Sequence, residues 1–480
     1  MSDSSSIDTY IDQFMQPVAE LASDFIFYSV SMFGADMPLI VLWLIAGGVF
    51  FTTYLGFINV RGFAHAVNLI RGKFKQDDDP GQISQFQALT TAVSGTVGVG
   101  NIAGVAVAIS VGGPGATFWL ILAGFLGMST KLAECTVGVM YRREHNGEVS
   151  GGPMYYLEEG LKLRNWPRLG KGLGMFYAAS MVIGCLGIGN MFQSNQAASI
   201  LLDVTGGANS IFADQAWLIG LLLAIAVGVV IIGGIRSIAA TTSRLVPAMA
   251  LLYVLMALLV ILLNYDRVPG AFVAIWDGAF NPQGVAGGMI GVMIIGFRRA
   301  VFSNEAGLGS AAIAHSTART KEPVSEGFVG LLEPFIDTVV ICTMTALVII
   351  TTIYEPGLAQ QNVAGIELTT QAFTSTLSWS AIPLSIAAVL FAFSTMVAWS
   401  YYGLKAFTYL LGHARPWADI GFKLFFLTFV VLGSAIELGA LIALSDALVF
   451  IVAIPNLLGL YLLAPTIKRE LNTYVQNHMR

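Results

Sequence analysis

Two stretches decide how this chain folds: S-G-T-V-G-V-G-N, from Ser94 to Asn101, and I-G-F-R-R-A-V-F-S-N-E-A-G-L-G-S, from Ile295 to Ser310. Each lies in the middle of a long apolar run, and each is a poor helix interior. Glycine is costly within a helix and leaves backbone groups easily freed. In hydrocarbon, freed groups must find partners or line a cavity. Arg298, Arg299 and Glu305 in the second stretch would be expensive facing lipid, so they belong inside the protein. The bland alternative for any one glycine is close packing of small residues between helices.

The chain around these stretches is made for a bilayer. Its 480 residues are 56% hydrophobic and 11% charged, with a mean hydropathy of +0.74, whereas soluble domains carry about 25% charged residues. No polar linker divides it into soluble domains. Runs of roughly 20 apolar residues fall at 38–58, 84–109, 116–141, 174–201, 215–235, 245–264, 284–314, 326–354, 382–411, 419–435 and 440–463, which makes about eleven spans of an all-α integral membrane protein.

Basic residues stay cytoplasmic. With the N-terminus outside and the C-terminus inside, the cytoplasmic segments gather Arg61, Arg71, Lys73, Lys75, Arg142, Arg143, Lys162, Arg164, Arg168, Lys171, Arg236, Arg244, Arg319, Lys321, Arg415, Lys468, Arg469 and Arg480. The external segments keep only Arg267. Losing a span would scramble this separation. The expected location is therefore a plasma membrane, the cytoplasmic or inner membrane of a bacterium or archaeon, crossed many times.

Segment 1–37 is acidic, with Asp3, Asp8, Asp12, Glu20, Asp24 and Asp36 and no Lys or Arg, which excludes a standard signal peptide. Ile11, Phe14, Met15, Val18, Leu21 and Phe25 recur at helical spacing and predict an external helix on the membrane surface. Segment 38–83 reads as an extra membrane helix with a basic linker, 84–264 and 265–465 as two sets of five spans, and 466–480 as a cytoplasmic tail. A net charge of −5 gives no sign of nucleic-acid binding, and no obligatory protein partner is indicated. Cys135, Cys185 and Cys342 fall inside spans, where small apolar packing is the default.

Counted from the second span, the two interrupted helices are the first members of consecutive sets of five. An odd-numbered repeat inverts when duplicated, which relates the sets by a two-fold axis in the membrane plane. Interrupted helices at matching positions point to a transporter binding site. A half-helix starting near Gly98 to Asn101 offers N–H groups and a positive dipole end to an anion. Half-helices ending near Gly95 and Gly296 offer carbonyls to cations. Carboxylate at one pole and ammonium or Na⁺ at the other describe a zwitterionic amino acid beside a metal ion.

At these residues the chain resembles the alanine or glycine:cation symporter family of the amino acid, polyamine and organocation transporter superfamily. The matching stretches are G-Q-I-S-Q-F-Q-A-L at Gly81, G-T-V-G-V-G-N-I-A-G-V-A at Gly95, G-G-P-M-Y-Y at Gly151, F-S-N-E-A-G-L-G-S-A at Phe302 and F-S-T-M-V-A-W-S-Y-Y-G at Phe393. The resemblance implies Na⁺-coupled uptake of alanine or glycine through a leucine-transporter-type 5+5 inverted repeat, with discontinuous first and sixth core helices and one extra N-terminal helix. By motif position it implies that Ser94, Gly95, Thr96, Gly98 and Asn101 contribute from the first broken helix, and Gly296 and Phe297 from the second. Gln193 matches a pocket glutamine of the family, and Ser394 and Thr395, with Ser94, are the expected Na⁺ ligands.

Each of these side chains also has an ordinary reading. Gln193 and its neighbour Asn190 could join helices to each other. Ser394 and Thr395 could bond their own helix. Trp399 and Phe297 could be simple packing; if they close the pocket, only a small side chain fits. Glu305 with Arg298 or Arg299, and Lys131 with Glu134, read as internal pairs or as latches on freed backbone rather than substrate contacts. G-G-P-M-Y-Y at Gly151 is a gate element or a plain turn.

Three rival functions remain. A membrane enzyme lacks support, since His65, His145, His315, His413 and His478 all map to cytoplasmic loops or the tail and no nucleophile motif is present. A channel would need a continuous polar lining. A proton-coupled transporter of the same fold, using Glu305 or Glu134, is the nearest competitor.

Overall fold

Chain that crosses a bilayer satisfies its backbone by coiling into helices, and the computed structural model is helical apart from two short hairpins. It describes residues 17, 20–32, 35–73, 79–145, 148–213, 215–282, 287–355, 365–412, 415–436 and 438–479.

A leading hairpin pairs β1 (Ser29–Met32) with β2 (Ala35–Pro38) and runs into α1 (Leu39–Tyr54). After α2 (Phe63–Ile70) come α3 (Gln85–Thr96), α4 (Ala103–Gly112) and α5 (Ala116–Met140). Hairpin β3 (Arg143–His145) with β4 (Glu148–Ser150) leads to α6 (Pro153–Lys162), α7 (Pro167–Leu186), α8 (Phe192–Val204), α9 (Ala216–Ile231) and α10 (Gly234–Leu263). The second half holds α11 (Val268–Phe280), α12 (Gly288–Asn304), α13 (Ser310–His315), α14 (Pro323–Pro334), α15 (Thr343–Thr352) and α16 (Ile366–Thr376). It ends with α17 (Ala381–Leu410), α18 (Pro416–Gly433) and α19 (Leu438–His478).

Local sequence sets several of these boundaries. Ser84 caps α3 reciprocally with Gln87, each side chain bonding the other's backbone N–H. Proline opens α6, α7, α14 and α18, where its missing N–H is no loss.

Among the described residues each apolar run found in the sequence is mostly helical, the two broken runs excepted at their breaks. Among the described residues seven helices are singly long and apolar enough to cross a membrane, and α3 with α4 makes an eighth as a pair bent by 59°. Helices α1 and α9 are apolar but shorter, at 16 residues each. The broken pairs α3/α4 and α12/α13 form the buried centre: α3 packs on α10 and α17, α12 on α4 and α5, and α13 on α3 and α5. Helices α9 and α10 turn Leu222, Val229, Leu255 and Leu262 outward, as lipid-facing helices do.

Three local expectations are corrected. Residues 20–26 are helical, but Ser29–Met32 and Ala35–Pro38 pair as antiparallel strands rather than continuing a surface helix; Ala35 and Met37 are buried and β2 packs on α12. The expected helical positions Ile11, Phe14, Met15 and Val18 lie outside the described residues. The connection after α5 is not a plain loop, because α6 carries the buried Met154, Tyr156 and Leu157 onto α7. The second break falls after Asn304 and not near Gly296. That glycine serves packing: a Cβ there would stand 2.6 Å from the Trp119 Cβ and 2.7 Å from the Ala116 carbonyl oxygen.

Candidate substrate and cation site

The first break spans Val97 and Gly98 and a short 3₁₀ turn, Val99–Asn101. Its freed groups are taken up by side chains. The Gly98 N–H donates to Asn101 Oδ1 at 2.9 Å, and the Val99 N–H to Gln193 Oε1 at 3.0 Å. On the carbonyl side, Thr395 Oγ1 donates to the Ser94 carbonyl at 2.9 Å, while Ser94 Oγ donates to the Ser394 carbonyl at 2.7 Å. Ser394 Oγ bonds the Phe391 carbonyl of its own helix. A Cβ on Gly98 would lie 2.6 Å from Thr395 Oγ1 and 2.9 Å from Gln193 Oε1, so only glycine lets α8 and α17 approach the break this closely. Ser94, Ser394 and Thr395 are all buried. Thr96 Oγ1 returns to the Val93 carbonyl.

Gln193 is aimed at the break by a π turn, Gly187–Met191, between α7 and α8. Such turns often mark functional positions. Asn190, on the same turn, donates instead to the Phe426 carbonyl of α18 at 2.7 Å and so joins helices.

The second break, 305–309, is held by one carboxylate. Glu305, Gly307 and Gly309 all have positive φ, which aims alternate N–H groups to one side. The Gly307 and Gly309 N–H groups both donate to Glu134 Oε1, at 2.9 and 3.0 Å, and Asn456 Nδ2 adds a third bond at 2.8 Å. Asn456 also donates to the Gly307 carbonyl and Tyr177 to the Leu308 carbonyl. Glu305 accepts from Ser310 and, at 2.9 Å, from the indole of Trp399. That indole lies 3.3 Å from the Gly95 carbonyl, so Trp399 touches both breaks.

A second oxygen cluster lies between the broken helices and α14/α15. Asp337, on a π turn at Phe335–Cys342, accepts from Asn101 Nδ2 at 2.6 Å and from Ser303 and Thr338 hydroxyls at 2.7 Å each. Asp337, Asn101 and Ser303 are buried. Sequence reasoning missed Asp337, Ser303 and Thr338, although an isolated Asp inside an apolar run is itself the signal.

The charged residues pair differently from expectation. Arg298 and Arg299 both bind Asp446 of α19, not Glu305. They sit more than a turn before the break, on the α12 face toward α19, while the left-handed backbone at Glu305 turns its side chain to α13 and α17. Lys131 pairs with Glu333 at 3.3 Å rather than with Glu134. His315 is no loop residue: it ends α13 fully buried, and His65 is buried on α2. His413 lies outside the described residues. Gly296 and Phe297 stand apart from both breaks, about 12 Å of helix before Asn304, with the Phe297 ring against Trp119. Cys135, Cys185 and Cys342 are buried and free.

Two helices broken mid-course, tied through one indole and flanked by buried oxygen clusters, are the arrangement characteristic of secondary transporters. The fold matches that of the crystal structure of MhsT in complex with L-phenylalanine, with a TM-score of 0.58 over 82% of this chain and 99% of that one, at 16% identity; the leucine-transporter type is thus established.

The chain belongs to the sodium:alanine symporter family, whose sequence profile matches residues 21–480. It is 39% identical over 444 residues to the sodium/alanine symporter AgcS of Methanococcus maripaludis, across 91% of this chain and 94% of that protein. It is 33% identical to the amino-acid carrier protein AlsT of Bacillus subtilis, across 88% and 86%. A third relative, at 32% identity across 91% and 88%, is the "Probable sodium/glutamine symporter GlnT" of the same organism. The protein is therefore a cation-coupled amino-acid symporter of the cytoplasmic membrane and not an enzyme.

Proposed function

We propose that this symporter couples Na⁺ to the import of alanine or glycine by alternating access, with the N-terminus outside. The observation that carries the reading is the meeting of the Ser94 carbonyl with the hydroxyl of Thr395 at 2.9 Å, beside Ser394, in a buried cluster of neutral oxygens. Hard cations take oxygen ligands, and uncharged ones suit a monovalent ion. The Asp337 carboxyl group, with the Ser303 and Thr338 hydroxyls beside it, supplies a second candidate oxygen position.

The substrate carboxylate is assigned to the amides at the start of the Val99–Asn101 turn, where Gln193 now accepts a bond. The ammonium faces the carbonyl end of α3. Trp399 limits side-chain space: its ring packs so closely on Gly189 that a Cβ there would lie 2.1 Å from the ring. This wall favours small substrates, and the inverted halves 84–264 and 265–465 supply the two conformations. Na⁺ at the α3 end orders the break and raises substrate affinity; reciprocity then requires substrate to raise Na⁺ affinity by the same factor.

Uptake into proteoliposomes tests this with labelled alanine and glycine, a panel of competing amino acids, and Na⁺ replaced by choline at constant pH. Concentrative uptake should vanish in choline, and Thr395→Val should raise the Na⁺ concentration for half-maximal uptake about tenfold, the loss expected of one hydrogen-bond-strength ligand. Concentrative uptake that persists in choline would remove the sodium assignment and leave a proton as the coupling ion.

A further inference from the structure

Beyond both oxygen clusters, at the end of α13 remote from the break, four charged side chains are packed out of contact with solvent. His315 Nδ1 lies 2.6 Å from Glu326 Oε1 and His315 Nε2 lies 2.6 Å from Glu333 Oε1. Glu333 Oε2 is 3.3 Å from Lys131 Nζ. All four side chains are 0% exposed.

Counting protons on the imidazole shows what this geometry demands. A carboxylate oxygen accepts only, and a neutral imidazole has a single N–H. Two contacts of 2.6 Å to carboxylate oxygens each need a proton between the heavy atoms. The cluster therefore holds one proton more than a neutral histidine and two carboxylates possess, whether that proton rests on the ring or on a glutamate. With it, Lys131 and the imidazolium balance Glu326 and Glu333; without it, the buried group carries a net negative charge and two acceptors face each other. An uncompensated buried charge is strongly disfavoured.

The other groups facing this cluster do not replace the proton. Helix α5 brings Cys135 and Glu134 as well as Lys131, and Glu134 is engaged by the amides of the break. Cys135, His315 and Glu333 place ligand atoms within 4.8 Å of one another, yet both ring nitrogens are already taken by carboxylates and Lys131 occupies Glu333. Arg142 staples the chain after α13 to Pro80 through carbonyls of Ser316, Ala318, Thr320 and Pro80, and cannot titrate. Helix α6 brings the buried Tyr156, with Glu158 and Glu159 paired to Arg143; α17 brings Tyr402, with Lys405 paired to Glu148; α3 has no ionisable side chain.

We propose that His315, Glu326 and Glu333 form a proton-binding site, distinct from the symport site, whose bound proton locks α13 to α14. When these helices part, His315 meets water, and its N–H proton passes to water to leave a neutral ring; closure takes one proton back. An imidazole in water titrates near pH 6.5. Between pH 7 and 9 the parted form has lost the proton that the closed form keeps, so the closed-to-parted ratio falls about tenfold per pH unit. This goes beyond the coupling-ion reading and needs neither Na⁺ nor substrate.

Cys135 is a native reporter, buried in the cluster. Its alkylation in the full-length protein in nanodiscs, read by peptide-resolved mass spectrometry, is compared between wild type and Glu326→Gln. An amide at position 326 can accept from or donate to the ring, so the variant keeps the contact without the extra proton. Both proteins share the thiol's own ionisation, so the ratio of wild-type to variant rates isolates the lock. That ratio should rise about tenfold per pH unit between pH 7 and 9; a flat ratio overturns the proposal. Ring-¹⁵N histidine NMR of wild type, assigned with His315→Gln, checks the proton itself. At pH 8 a doubly protonated ring, or a singly protonated ring beside a protonated glutamate, is expected. A His315 ring with one bare nitrogen and both glutamates ionised overturns the proposal even if Glu326→Gln fails to fold.

Discussion

Removing the Glu134 carboxylate should undo the second break. Glu134 Oε1 accepts from the N–H groups of Gly307 and Gly309 and from Asn456 Nδ2, and no other partner for the two glycine donors exists among the described residues. Glu134→Ala leaves three buried donors unpaired. Each costs about 1–3 kcal/mol, so the total is about 3–9 kcal/mol, enough to unfold or rewind the segment. Glu134→Gln keeps an acceptor oxygen in place and loses only the charge, which roughly halves the strength of each bond; about 1–4 kcal/mol follows. The assay is thermal unfolding in detergent by intrinsic fluorescence, alongside amino-acid uptake in proteoliposomes. The expected order of stability is wild type, then Gln, then Ala, with uptake abolished in Ala. An Ala variant as stable as wild type would show that the carboxylate does not hold the break, and Gln as damaging as Ala would show that charge rather than bond geometry is what matters.

Two further outcomes follow from the same geometry. Gly98→Ala places a methyl 2.6 Å from Thr395 Oγ1 and 2.9 Å from Gln193 Oε1; φ there is −126°, so the backbone accepts alanine and the overpacking should cost about 1–3 kcal/mol while amino-acid uptake falls by at least about tenfold, and normal uptake would refute the placement of those side chains. His65 outside the spans gives a pH dependence: burial, with His478 adding to it, holds its imidazole below the ordinary value. The unfolded chain then takes up a proton below about pH 6.5 that the folded one refuses until lower pH. This contribution to stability is present above that pH and is lost as pH falls through the depressed value. His65→Gln should blunt the loss of thermal stability between pH 7 and 5, and an identical loss in the variant would contradict the assignment.

What the sequence shows and hides follows from range along the chain. The spans were legible because each is a contiguous run of about 20 apolar residues. The first break was legible too, since Gly95, Gly98 and Gly100 crowd a window with no leucine. At the second break a window was legible but not a residue. Gly296 and Gly307 look alike in sequence, yet one packs against Trp119 and Ala116 while the other adopts φ +96°. Pairing partners were not legible at all: Asp446 lies 147 and 148 residues from the arginines it binds. The leading hairpin was not read because the helical spacing that ends at Phe25 was extended over 29–38, although Gly34 and Pro38 there are turn and stop signals.

The indole of Trp399 shows how the two breaks constrain each other. It carries one N–H and meets two acceptors, Glu305 Oε1 at 2.9 Å and the Gly95 carbonyl at 3.3 Å. The shorter contact takes the proton, which leaves the Gly95 carbonyl at the end of α3 with electron density to offer a cation. Were Glu305 to swing away with the second break, the indole would turn its proton to Gly95 and occupy that carbonyl. Glu305 itself is kept in place by Ser310 at the head of α13, and α13 is fixed at its other end through His315. A shift of the short half-helix α13 is therefore felt at the carbonyl end of α3, through contacts that each lie within hydrogen-bond distance.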